Sequence, residues 1–242
     1  MTTGAKNMIV RMLAILVMAA IVVGGVLAWS NANYDRFQFA SEEAQTIRDL
    51  EEWHSAELDD SEVKSDSIVY AIFGAALAAA CGLVCSGTAT IPGRTIGVVV
   101  GLVLGAAAGA LAGYVGHTFD RSIQFPNDPM AYWFGRWMAM LGPIAIACAI
   151  AAAASGKRIA NDLLEGIVGG LVGAAIAVAI YCFTSGAVTN IENHEYVFPG
   201  FFANRVLILG LASAFIGLAI VFRIHPKKLE QSPPDSQENK GN

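Results

Sequence analysis

The chain has 242 residues, of which 55% are hydrophobic and only 14% are charged, well below the roughly 25% of average soluble domains. Its formal net charge of −5 at pH 7 excludes the basic composition of a nucleic-acid-binding protein, so no nucleic-acid partner is expected. The uncharged residues form long apolar runs. The composition therefore predicts an integral, multi-pass membrane protein surrounded by the lipid bilayer.

Six stretches of the sequence are long and apolar enough to cross a bilayer, which takes about 20 residues as a helix. They lie at about 8–29, 68–87, 95–117, 137–154, 164–183 and 205–222. We therefore expect an all-α transmembrane domain over 1–222, followed by a polar and disordered cytoplasmic tail over 223–242.

The first apolar run has a second interpretation, as a signal peptide. Lys6 and Arg11 precede it, and small residues at Ser30 and Ala32 flank a possible cleavage position. The run from Met12 is longer than the usual signal-peptide core of about 7–15 residues, which favours a retained helix. Cleavage would leave five spans.

The positive charges are unevenly distributed between the two sides of the membrane. Nine of the 15 lysines and arginines fall in the N-terminal segment, the second and fourth loops and the tail. Fifteen of the 20 acidic residues fall in the other three loops. Because positive charge accumulates on the cytoplasmic side, both termini are predicted to be cytoplasmic, in a bacterial cytoplasmic (inner) membrane.

The first external loop contains a segment with helical periodicity. Ala44, Ile47, Leu50 and Trp53 recur at helical spacing between acidic residues, and Ser41 is a suitable N-cap. We expect an external, acidic amphipathic helix at about 41–58.

Several sequence similarities recur at nearly constant distance along the chain. Residues 97–103 resemble residues 166–172, and residues 134–136 resemble residues 202–205. Three spans carry a large residue followed by glycine, each pair 68 residues from the next: Phe73-Gly74, Leu141-Gly142 and Leu209-Gly210. These matches predict three parallel-topology helical hairpin repeats, related by a pseudo-threefold axis along the membrane normal.

Glycine occupies every fourth position of the third span, at Gly97, Gly101, Gly105, Gly109 and Gly113. Small residues at this spacing let helix backbones approach closely in a membrane, so the pattern predicts glycine-zipper packing. Similar residues occur in the second span (Gly74, Gly82), the fifth (Gly166, Gly170) and the first (Ala20, Gly24, Ala28). The ridge of the third span packs within the bundle or, alternatively, against another copy in an oligomer.

The sequence offers little catalytic chemistry. No ionisable residue lies deep in the six predicted spans, and the absence of a deep histidine argues against an intramembrane serine protease or a haem site. The four cysteines are interpreted as small apolar packing residues. A weak candidate metal site is formed by external residues: His117, Asp120, Glu192, His194 and Glu195.

The leading hypothesis is a non-enzymatic multi-pass membrane protein that acts as a packing, assembly or partner-binding component. A homo-oligomer or other membrane proteins are its possible partners, and no cofactor is expected. The alternative hypothesis is a channel or permease for a small solute, lined by glycine and alanine.

Overall fold

The computed structural model of the chain describes residues 3–33, 53–85, 91–122, 129–155, 159–188 and 202–224. These residues contain no strand and form six helices. In chain order they are α1 (Thr3–Ala32), α2 (Trp53–Cys85), α3 (Ile91–Ser122), α4 (Pro129–Ala154), α5 (Ile159–Val188) and α6 (Phe202–Ile224). Each is long and apolar enough to cross a membrane. The prediction of six long apolar helices is confirmed, and the described part of the chain is all-helical, consistent with a six-span membrane protein.

The helices extend beyond the apolar runs that define the spans. The largest difference is in α2, which begins at Trp53 although the apolar run of the second span was predicted from about 68. The predicted external helix at 41–58 lies outside the described residues up to position 52, and 53–58 belong to α2. The predicted tail also lies outside them from position 225 onward, while 223–224 belong to α6.

Local chemistry explains several helix ends. Pro92 and Pro129 lie in the first turns of α3 and α4, where a missing N–H costs no intrahelical hydrogen bond. The Ser155 hydroxyl donates to the Ala152 carbonyl oxygen at 2.7 Å beside the last turn of α4. Pro143 does not end α4, which continues through it to Ala154.

The described helices form a ring in chain order, because each contacts the next and α1 also contacts α6. Three helices of the ring, which we call the inner helices, also contact one another. Of these, α2 packs on α4, and both make smaller contacts with α6. The odd-numbered helices lie outside, each between two inner helices. Neighbouring helices are antiparallel, so α2, α4 and α6 begin at one end of the bundle. We call this the Arg136 end, and the opposite end the Arg94 end.

Burial follows the division into inner and outer helices. In the most apolar stretch of each span, buried residues make up 56%, 67% and 50% in α2, α4 and α6. The corresponding shares are 33%, 33% and 39% in α1, α3 and α5. The core is therefore built on the inner helices, whose largest fully buried apolar side chains include Phe73, Leu141 and Leu209.

Candidate functional site

The glycines of α3 lie against the backbone of α2, the helix with which α3 makes its most extensive contact. A Cβ atom built on Gly101 would lie only 2.6 Å from the carbonyl carbon of Ala78, and real Cβ atoms do not approach so closely. In order along α3, the contacts are Gly101 with Ala78, Gly105 with Gly74, Gly109 with Tyr70 and Gly113 with Ser67. No side chain larger than hydrogen fits at these positions without moving the two helices apart.

Glycines near the end of α3 and in α5 are buried as well. A Cβ on Gly97 would lie 3.1 Å from the carbonyl oxygen of Gly82 in α2, and Gly97 also contacts α4. A Cβ on Gly170 in α5 would lie 3.0 Å from the carbonyl oxygen of Ala145 in α4. Gly166 is buried as well.

The small residues of α1 have a different environment. Ala20, Gly24 and Ala28 are all exposed, and a Cβ built on Gly24 or on its neighbour Gly25 would meet no atom within 4 Å. The large residues of α1 that contact the bundle, among them Val22 and Val26, lie on its other side. The small-residue face of α1 is therefore directed away from the other described helices.

Of the five residues of the candidate metal site, the structure describes the side chain of His117 alone. The His117 Nε2 atom lies 3.0 Å from the Asp66 Oδ2 atom, so this histidine joins α3 to α2. Asp120 belongs to α3, whereas Glu192, His194 and Glu195 lie outside the described residues. Where side chains are described, no three histidine, cysteine or acidic residues are grouped to hold a metal ion.

A buried polar cluster at the Arg136 end was not anticipated from the sequence. Arg136 was expected in a loop before the fourth span, but α4 begins at Pro129 and Arg136 is 1% exposed. Arg205, near the start of α6, is 9% exposed. We call the following buried residues the arginine cluster: Tyr70, Arg136, Trp137, Tyr181, Asn204 and Arg205.

Aromatic rings form part of the surroundings of Arg136. Its guanidinium carbon lies 5.2 Å from the ring centroid of Trp133, one turn earlier on α4, which is a cation–π distance. On the next turn, Trp137 meets Tyr181 of α5 edge to face, with ring centroids 5.2 Å apart. Because Trp and Tyr concentrate at membrane–water interfaces, these rings place the arginine cluster near the bilayer surface.

The buried side chain of Tyr70 is a further part of the cluster. Tyr70, fully buried on α2, lies within electrostatic range of Arg136 and Arg205, and also of Asp66 one turn earlier. Asp66 in turn pairs with His117. The three inner helices thus contribute charged or polar side chains to one buried region.

The side chains of the arginine cluster supply hydrogen-bond donors. Guanidinium, amide and phenol groups donate hydrogen bonds to anions, whereas nucleophilic catalysis requires an activated serine, cysteine or similar group. The sequence contained a signal for the cluster, since residues 134–136 resemble residues 202–205. Arg136 and Arg205, near the starts of α4 and α6, are both buried, although each lies just before or at the beginning of a predicted apolar run.

Comparisons of the chain with protein-family models, with curated proteins and with solved structures find no match.

Proposed function

We propose that this chain is a non-catalytic membrane protein that acts as an assembly or partner-binding component of the bilayer. The observation that carries this proposal is the apolar interior of the bundle. Fully buried Phe73, Leu141 and Leu209 come from all three inner helices, at equivalent positions 68 residues apart. A water-filled pathway needs a polar wall or backbone carbonyls in place of such side chains.

The contact pattern supports an arrangement of three helical hairpin repeats. Each hairpin contributes one outer and one inner helix, and the odd-numbered helices pack between even-numbered ones around the ring. Equivalent positions also share their burial, since Val69, Trp137 and Arg205 are buried at the same level of the three inner helices. A pseudo-threefold axis would then pass between α2, α4 and α6.

The close approach of α2 and α3 supports glycine-zipper packing as the main source of stability within the bundle. Lipid tails are as apolar as leucine side chains, so helices in a membrane gain little from hydrophobic burial. Backbone contact at Gly101 and Gly109 instead increases dispersion contacts along the whole helix pair.

The exposed stripe formed by Ala20, Gly24 and Ala28 supports a role in assembly. This stripe offers the same small-residue surface as α3, but no other described helix occupies it. A second copy of the chain or another membrane protein is the partner that fits such a surface. The position of α1 between α2 and α6 supports a retained first span.

We also propose the orientation given by the positive-inside rule, with both termini cytoplasmic and the protein in a bacterial inner membrane. In this orientation the Arg136 end is exported. Arg11 and Arg94, which lie within electrostatic range of each other at the Arg94 end, are then cytoplasmic.

A channel is the second candidate, and one observation favours it. The Ser213 hydroxyl, in the middle of α6, is fully buried and has no hydrogen-bond partner among the described residues. Ser213 lies at the position equivalent to Leu77 and Ala145, so it is the polar member of this layer of the inner helices.

A liposome flux assay distinguishes the two candidates. The full-length protein, reconstituted in liposomes that hold an ion-sensitive dye, is expected to give no flux above protein-free liposomes. The matched variants are Ser213→Leu, which fills the centre, and Val103→Leu, which adds bulk on the exposed face of α3. A flux through the unmodified protein that Ser213→Leu abolishes and Val103→Leu does not would contradict the non-conducting proposal.

A further inference from the structure

The seam between α1 and α6, where the ring of helices closes, is packed at one level and open at another. A Cβ atom built on Gly217 would lie 2.5 Å from a side-chain carbon of Ile15 in α1. Gly210 precedes Gly217 by seven residues, which places both glycines on the same side of α6 about two turns apart. A Cβ atom on Gly210 would nevertheless meet no atom of the described residues within 4 Å. The two helices therefore meet at Gly217 and leave a groove beside Gly210.

The exposure of this side of α6 falls steadily along the helix. Ala203 and Val206 are exposed, Gly210 and Ala214 are half-buried, and Gly217 is buried. Because the span runs from Ala203 to Phe222, the exposed residues lie at the Arg136 end and Gly217 lies beyond the middle of the span. The groove is therefore a wedge that opens to the bilayer near the Arg136 end and closes at Gly217.

The glycines at equivalent positions of the other inner helices are covered by the outer helix that follows them. A Cβ atom on Gly74 would overlap the carbonyl of Gly105 in α3. A Cβ atom on Gly142 would lie 3.7 Å from a side-chain carbon of Leu171 in α5. Gly210 occupies the corresponding position beside α1 and is not covered in this way. The groove is thus specific to the seam between the first and the last of the described helices.

The groove has the length and the surroundings of a lipid acyl chain. From Ala203 to Gly217, α6 advances by 14 residues, or about 21 Å at about 1.5 Å per residue. One leaflet contributes about 15 Å of hydrocarbon, half of the thickness of the bilayer core. This side of α6 carries only alanine, valine and glycine. Such a surface offers dispersion contacts and no hydrogen bonds, and an unfilled groove would lose those contacts.

Other occupants fit this groove less well. A connecting segment of the chain would leave backbone N–H and C=O groups without hydrogen bonds at hydrocarbon depth. A helix from a second copy is about 10–12 Å wide, too wide for a wedge between two helices that touch at its base. The groove is continuous with the contact of Ile15 and Gly217, so a flexible apolar chain can extend that interface toward the Arg136 end.

We propose that an acyl chain of a membrane phospholipid occupies the groove between α1 and α6, passes over Gly210 and ends at the contact of Ile15 with Gly217. The headgroup of this lipid lies at the Arg136 end of the bundle. The inference goes beyond the proposed function, since it requires neither a partner protein nor transport.

The test uses the full-length chain in phosphatidylcholine vesicles. A small fraction of the lipid is a phosphatidylcholine that carries a photoreactive diazirine on its acyl chain. After irradiation, mass spectrometry of peptides locates the labelled residues. The variants are Gly210→Phe, which fills the groove, and Gly210→Leu, a smaller replacement that serves if the first does not fold. The control is Val103→Phe, which adds the same ring to the exposed face of α3.

In the unmodified protein, residues 203–214 of α6 are expected to carry more label than the exposed face of α3, because a chain held in a groove exchanges more slowly than a chain in the surrounding bilayer. Gly210→Phe should remove most of the label from α6 and leave the label on α3 unchanged. Gly210→Leu should reduce the α6 label by a smaller factor. Val103→Phe should leave the α6 label as it is in the unmodified protein.

The proposal is overturned if α6 carries no more label than α3, or if both Gly210 variants keep the label of the unmodified protein. Label on neither helix would also overturn insertion in the bilayer, on which the site depends. Cross-linking of the same samples examines a second copy as the occupant. Loss of oligomers in Gly210→Phe with unchanged label on α6 would assign the groove to that copy and overturn the lipid site.

Discussion

The first and third helices carry the same small-residue pattern and use it in different ways. In α3 the glycines are buried against α2, and the large residues, such as Leu102 and Val103, are exposed. In α1 large residues such as Val22 and Val26 face the bundle, whereas Gly24 lies on the exposed side, with Val17 and Ile21, and has open space beside it. Both spans nevertheless bury 33% of their most apolar stretch. The pattern therefore indicates where two backbones can approach closely, but it does not identify which side of a helix the fold will bury.

The contact at Gly105 gives the largest expected effect. Gly105→Leu should lower the free energy of unfolding by about 2 kcal/mol or more, since its side chain would overlap the backbone of Gly74 and force α2 and α3 apart. The controls are Leu104→Ala and Val103→Ala, at exposed positions of the same helix. Denaturant unfolding in detergent provides the measurement. Equal stability of Gly105→Leu and the unmodified protein would show that the two helices can separate at no cost.

A second comparison is between Gly74 of α2 and Gly210 of α6, which occupy corresponding positions in the predicted repeats. A Cβ on Gly74 would overlap the carbonyl of Gly105, whereas a Cβ on Gly210, at the equivalent position of α6, would meet nothing within 4 Å. Gly74→Ala should therefore cost about 1–3 kcal/mol. Gly210→Ala should be neutral or stabilising by up to about 1 kcal/mol, because alanine is the better helix former. The measurement is again denaturant unfolding in detergent. A similar loss of stability in both variants would mean that the space beside each glycine does not determine the effect of adding a methyl group.

The smallest expected effect is at Gly24. Gly24→Leu should change the free energy of unfolding by less than about 1 kcal/mol, because the added side chain enters open space. If a second copy binds the stripe of Ala20, Gly24 and Ala28, the variant should lose oligomers while keeping its stability. Cross-linking in membranes and subunit counting by photobleaching measure this. A stability loss as large as that of Gly105→Leu would place another part of the chain on this face.

The six spans could be predicted from the sequence because the bilayer imposes a minimum length of apolar residues on each helix. The helix ends could not be predicted in the same way. Polar residues outside the hydrocarbon region can still be helical, and α2 accordingly begins at Trp53, well before the apolar run predicted from about 68. Pro143 lies inside α4, which continues through it to Ala154, and α4 packs against neighbouring helices that can satisfy the backbone group left free by the proline.

The arginine cluster was missed for a related reason. Hydropathy assigns a charged residue near the end of an apolar run to the adjoining loop, and Arg136 was assigned in this way. Which side of α4 faces the interior depends on its contacts with α2 and α6, and these are properties of the fold. The similarity between 134–136 and 202–205 was the available clue.

The contact between α1 and α6 has a consequence for biosynthesis. A Cβ on Gly217 of α6 would lie 2.5 Å from a side-chain carbon of Ile15, so the first and last of the described helices meet directly. The contact between α2 and α3 joins two helices that are neighbours in sequence, so it can form as soon as both helices are inserted. The ring can close only after α6 has been inserted. Until then α1 contacts α2 but not α6. The surface of α1 that will contact α6 is meanwhile exposed to lipid or to an insertion factor. A chain that stops before α6 therefore leaves an open ring in the membrane, with this face of α1 uncovered.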